Sequence, residues 1–108
     1  MSLYADYMKE IHGKHIIENE RGFIMFSKQK DHFYIEDIYV IPDFRRSRAA
    51  VEMADWVCAI AKDAKINRII GSVVPSSKTC DISLRMMLAY GMSLHSSQNN
   101  IIFFVKDI

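Results

Sequence analysis

The stretch FYIEDIYVIPDFRRSRAAVEMADWVCAIAKDAK, residues 33–65, decides how the chain is read. It opens with aromatic and β-branched residues, the composition of a strand. Pro42 then ends the strand, because it has no N–H to give to a ladder. From about Arg46 to Ala64, the apolar residues Ala50, Met53, Ala54, Val57, Ile60, Ala61 and Ala64 recur at steps of three and four, which predicts one buried helix face. Between strand and helix stand Arg45, Arg46 and Arg48. The first N–H groups of a helix lack partners within it, and the macrodipole already makes that end positive. Adding guanidinium groups there is unfavourable unless an anion sits among them, and their forked donors suit phosphate.

The flanking elements extend this unit in both directions. Upstream, residues 4–12 carry Tyr4, Tyr7, Met8 and Ile11 at helical spacing, and Gly13 supplies a stop. Strands are expected over 14–19, 23–28 and 32–41, joined by turns at Glu20–Gly22 and Lys30-Asp31, hence an antiparallel meander. Downstream, a strand over 67–74 is reached through the long helix, which implies a parallel or crossover arrangement. Pro75–Ser77 reads as loop. Thr79 is a candidate N-cap for a helix over 80–90, with Asp81 at its favourable end and Gly91 after its last turn. Strands over 92–96 and 101–106 close the chain around a turn at 97–100. The order α-β-β-β-α-β-α-β-β predicts a single α/β (α+β) domain over residues 1–108, with a mixed sheet built from a meander and a crossover helix.

Composition narrows the function classes. Half of the 108 residues are apolar and the net charge is +1, so a folded core is expected and no global field draws nucleic acid or an anionic membrane. Any anion site is local. No stretch is apolar for long enough to span a membrane, and the first residues carry charge without an apolar signal core, so a cytoplasmic protein is expected. Cys58 and Cys80 lack CxxC spacing and read as reduced thiols. His12 and His15 have HxxH spacing, but Gly13 and Lys14 interrupt a helix there and no third ligand is evident, so no metal site is expected. His32 and His95 adjoin turns and are expected to be exposed. The aromatic residues are interleaved with acidic ones, which argues against a nucleic-acid platform.

With the element order in place, V-I-P-D-F-R-R-S-R-A-A at Val40–Ala50 resembles the GNAT superfamily of acetyl-CoA-dependent N-acyltransferases. The family pattern is a strand ending near Val-x-Pro, then [Gln/Arg]-x-x-Gly-x-[Gly/Ala], then a long amphipathic helix. Arg45 matches its first position and Ala50 its last. The resemblance covers about residues 14–106, includes Gly91-Met92 after the second helix where many members have Gly-Phe, and leaves the family's first strand and helix missing or reduced to residues 4–12. It implies acetyl-CoA as co-substrate, an amine acceptor, and a pyrophosphate held by the backbone and side chains of Arg45, Arg46, Ser47, Arg48, Ala49 and Ala50. It further implies a thioester carbonyl polarised by the backbone N–H of Val40 or Ile41, and Glu36 as base with Asp37 as neighbour. Strand alternation predicts Tyr34, Glu36, Ile38 and Val40 on one face and Phe33, Ile35, Asp37, Tyr39 and Ile41 on the other.

Three positions depart from the pattern. Arg48 stands where the family has a Gly that admits the pyrophosphate. Met87 stands four before Gly91, where many members carry a Tyr general acid, and Cys80 falls where an Asn is common. The resemblance therefore implies an N-acetyltransferase as the first reading. The second is a degenerate GNAT scaffold acting as a binding or assembly module, with a homodimer or larger partner covering exposed sheet. Small divergent domains of this sort suit phage or mobile-element proteomes.

Overall fold

The computed structural model describes residues 3–45, 47–78 and 80–108. Helix α1 is Leu3–His12, and strands β1 (Lys14–Asn19), β2 (Gly22–Lys28) and β3 (Phe33–Val40) follow. A single 3₁₀ turn at Pro42–Phe44 leads to α2 (Ala49–Asp63), then β4 (Arg68–Val73), α3 (Cys80–Ala89), β5 (Ser93–Gln98) and β6 (Ile101–Asp107). The long helix thus begins at Ala49, three residues later than its periodicity predicts. Pro42 starts the 3₁₀ turn, and the segment between it and Ala49 is turn rather than helix among the described residues. The expected N-cap Thr79 lies outside the described residues. The closing hairpin turns at Asn99 and Asn100, both at positive φ (52° and 62°), the conformation asparagine tolerates in two-residue hairpin turns.

The six strands form one sheet in the order β1-β2-β3-β4-β6-β5. All neighbours are antiparallel except β3 and β4, whose parallel pairing is the one the α2 crossover creates. The three helices lie on one face. Met53, Ala54, Val57 and Ala61 of α2 are completely buried there, against Ile24, Ile35 and Ile69. Ile60, predicted on that buried line, is exposed to 38% and instead walls a recess with Ala5 of α1 and His15 and Ile17 of β1. Met87 of α3 packs over Gly71 of β4.

Pairing of β2 with β3 corrects the predicted alternation. Met25 faces Asp37, but Phe26 faces Ile35, so Glu36 is an extra residue in β3. A bulge of this kind reverses the side-chain phase beyond it. Phe33, Ile35, Ile38 and Val40 therefore share the helix-covered face, whereas Asp37 and Tyr39 share the other with Tyr34. No helix among the described residues covers that second face.

Close approach of β2 to β3 leaves no room at Gly22. A Cβ there would stand 1.9 Å from the Tyr39 carbonyl oxygen and within 3 Å of two further backbone atoms. The expected cost of Gly22→Ala is about 2–4 kcal/mol, because backbone rather than a movable side chain must yield. Urea unfolding would measure it, and a change below about 0.5 kcal/mol would contradict the tight β2–β3 register.

Candidate functional site

β3 and β4 pair over Phe33–Ile35 and Ile69–Gly71 only. Beyond those residues β3 stays with β2 as far as Val40, opposite Gly22, and β4 stays with β6 as far as Val73, opposite Ile102. The two central strands therefore part in the middle of the sheet. Their facing backbone groups make no ladder with each other beyond Ile35 and Gly71. The bulge at Glu36 stands where the parting begins.

The N–H groups at the rim can be assigned. Ile41 donates its N–H to the Arg21 carbonyl at 2.8 Å, toward β2. Successive N–H groups of a strand point to opposite sides, so the N–H of Val40 points into the gap. Of the two backbone donors expected for a thioester, Ile41 is engaged and Val40 is the one available.

At the wide end of the gap, a cavity of about 450 Å³ lies between the start of α2 and α3. Val40, Arg45, Ser47, Ala50 and Val51 line it on one side, and Arg85, Met86 and Ala89 on the other. The first turn of α2 opens there. Ala49 donates its N–H to Ser47 Oγ at 3.2 Å, and Glu52 is the first to close a helical bond, to the Arg48 carbonyl at 2.9 Å. Among the described residues, the N–H groups of Ala50 and Val51 have no carbonyl within the helix.

The arginines divide. Arg45 lines the cavity, and its Nε donates to the Val40 carbonyl at 2.9 Å while its guanidinium lies 5.7 Å from the Tyr39 ring centre. Arg46 lies outside the described residues. Arg48 is the exposed residue preceding α2 and is not among the cavity walls. Ala49 is buried at 2% exposure and belongs to the core. Arg85, which sequence reasoning missed, faces Arg45 across the cavity. Its only signal was a single basic residue within an otherwise apolar stretch of α3.

At the narrow end, a crevice of about 30 Å³ is lined by Glu36, Asp37, Ser72, Ser83, Met86 and Met87, with Ile35 and Ile38. Met86 walls both spaces, so cavity and crevice adjoin. The two expected acidic residues both line this crevice, Glu36 as the bulged residue and Asp37 as the one after it. Glu36 is ion-paired with Lys14 at 3.1 Å, and Asp37 is exposed. Met87 is buried at 3% exposure and presents a thioether where a phenol would be needed to give up a proton. Tyr90 does not replace it. Its hydroxyl donates to Asp55 at 2.7 Å and meets Cys58 Sγ at 2.7 Å, between α2 and the end of α3. Burial and these two partners push its pKa far up, so it holds its proton. Ser72 and Ser83 are the hydroxyls at the crevice, and neither was singled out from sequence. Cys80 is a free, partly buried thiol beside Asp81. No group of three or more His, Cys, Asp or Glu able to hold a metal occurs among the described residues. None of the described helices is long and apolar enough to cross a membrane.

Arg45 and Arg48 should differ in what they do for the fold. Arg45→Lys loses the Nε bond to Val40, with an expected cost of roughly 1 kcal/mol. Arg48→Ala, exposed and without a side-chain cap bond, is expected to stay within about 0.5 kcal/mol of the parent. Paired chemical denaturation curves check this, and equal losses would contradict the division.

Comparison with known proteins bears on this geometry. Residues 5–79 match the sequence pattern of the acetyltransferase (GNAT) family. No curated protein matches the chain in sequence. Among solved structures, a putative acetyltransferase of the GNAT family from Desulfovibrio desulfuricans superposes with a TM-score of 0.78 at 12% identity, covering 94% of this chain and 74% of that one. The PaiA N-acetyltransferase of Thermoplasma acidophilum, solved with coenzyme A, gives 0.73 at 12% identity over 82% of this chain and 54% of its own. This chain therefore spans about half the length of the Thermoplasma protein. The anti-CRISPR protein AcrVA5 gives 0.68 at 15% identity over 83% of this chain and 96% of its own. At these identities the superpositions show the fold.

Proposed function

The chain belongs to the GNAT acetyltransferase family, and on that premise we propose that it binds acetyl-CoA in the β3–β4 gap and transfers the acetyl group to an amine. The observation that carries this reading is the gap itself, which runs from an anion-suited helix start to a crevice lined by the acidic residues Glu36 and Asp37. The pyrophosphate would accept from the N–H groups of Ala50 and Val51, with Ser47 beside them. Arg45 and Arg85 would supply formal charge from opposite walls. The amide-bearing arm of the cofactor would lie along the parted strands, completing backbone bonds that β3 and β4 do not make with each other. The Val40 N–H would polarise the thioester carbonyl.

The acceptor amine would arrive from the helix-free face, where Asp37 lies. Glu36 takes a proton from the incoming ammonium group, and Asp37 favours the cation beside it. The amine nitrogen then bonds to the carbonyl carbon, the C–S bond breaks, and the second proton that the nitrogen sheds as the amide forms passes through water to the leaving CoA thiolate. Met87 supplies no proton to it. That absence favours one second reading, a GNAT scaffold that binds a partner or a second copy of itself and no longer turns over.

Calorimetric titration with acetyl-CoA separates the two readings. We expect a dissociation constant of roughly micromolar order, weakened about tenfold in Arg85→Ala and in Arg45→Ala and by less in Arg48→Ala. Glu36→Gln should keep that affinity and lower turnover by about 100-fold or more. No heat and no thermal shift up to roughly millimolar ligand, from a chain that elutes as a tight oligomer, would support the binding module instead.

A further inference from the structure

A second cavity, about 350 Å³, opens on the sheet face that carries no helix among the described residues. Tyr34 of β3, Ile70 of β4 and Phe103 of β6 form its floor, and the two rings stand 6.5 Å apart at 44°. Its rim is polar but carries no carboxylate, ammonium or guanidinium: Gln29, His32, His95 and Ser96. His32 turns Nδ1 to Asp31 at 2.7 Å, and His95 has Nδ1 3.0 Å from Ser96 Oγ. The Nε2 atoms of both rings make no hydrogen bond among the described residues.

This cavity adjoins the carboxylate crevice. The Tyr34 hydroxyl is 2.6 Å from Ser72 Oγ, and Ser72 lines the crevice with Glu36 and Asp37. Ile70 and Ser72 are two residues apart on the same face of β4, which is about 7 Å. We propose that the cavity holds the ring of the acceptor, and that the acceptor is an arylalkylamine. This rests on the acyl-transfer reading above. The ring lies on Tyr34, Ile70 and Phe103, where offset and tilted aromatic contacts add to burial. A short alkyl chain spans the distance to Ser72 and delivers the amine to Glu36 and Asp37. A ring hydroxyl can donate to Nε2 of His32, which is left as an acceptor in the neutral ring because Nδ1–H is given to Asp31. A polyamine is disfavoured, since no carboxylate lines the cavity for a second ammonium group and that of Asp31, beside it, is already engaged by His32 Nδ1.

The full chain, saturated with CoA, should be titrated by calorimetry and protein-observed NMR with tyramine, phenethylamine, hexylamine and spermidine. Both aryl amines are expected to bind about tenfold or more tighter than hexylamine or spermidine, with the largest shifts at Tyr34 and Phe103. Phe103→Leu keeps apolar bulk and should bring the aryl amines to the level of hexylamine. His32→Ala removes that acceptor and should weaken tyramine but not phenethylamine. Hexylamine or spermidine binding as tightly as the aryl amines would overturn the proposal, as would shifts confined to other surfaces. The same titrations without CoA separate the two inferences. Failure to bind CoA sinks the acyl-transfer reading, while the ranking of the amines still decides what the cavity takes.

Discussion

The parting of β3 from β4 after three paired residues is the constraint on which the rest of the molecule depends. A parallel pair in mid-sheet would ordinarily continue its ladder, because unpaired buried backbone groups are costly. Here each strand keeps its outer partner to the end, β2 for β3 and β6 for β4. The sheet therefore holds together while its centre opens. The crossover that forces the strands to be parallel also sets the start of α2 at the mouth of the opening. An anion-suited helix end and a slot of unpaired backbone are thus consequences of one piece of topology.

The bulge at Glu36 does the complementary work. By adding one residue to β3, it keeps Ile38 and Val40 in the core with Ile35 while turning Asp37 to the helix-free face. Glu36 and Asp37 then stand at the point where the strands diverge, and an aromatic cavity continues from Ser72 across the helix-free face. On the other side, Met86 joins the crevice to the cation-lined cavity. A cofactor arriving from the helices and an acceptor arriving from the bare face would meet at the bulge.

Arginine at positions 45, 46 and 48 poses the question of what a helix start does with so much positive charge. Part of the answer is structural: Arg45 bonds the Val40 carbonyl and lies by the Tyr39 ring, so it shapes the rim of the gap as well as charging it. Arg48 is exposed, and among the described residues Arg85, on a different helix, joins Arg45 on the cavity wall. Tyr90, the tyrosine nearest in sequence to the position a proton donor would need, is engaged with Asp55 and Cys58 and ties α2 to the end of α3.

By itself the sequence determined the element order, the meander, the crossover and the basic helix start. These rest on local signals: alternation, three-and-four spacing, Pro42, and the run from Val40 to Ala50. Glu36, Asp37 and the Val40 backbone were legible as candidates through the family resemblance, on the strand leading into that turn. Tertiary structure alone decided the phase of β3, because a bulge exists only relative to the partner strand and leaves no mark in composition. It likewise decided that Arg85 and not Arg48 shares the cavity with Arg45, and that Tyr34, Ile70 and Phe103 form one floor. Those residues sit on different elements, and what brings them together is strand order and helix packing, which no spacing along the chain records.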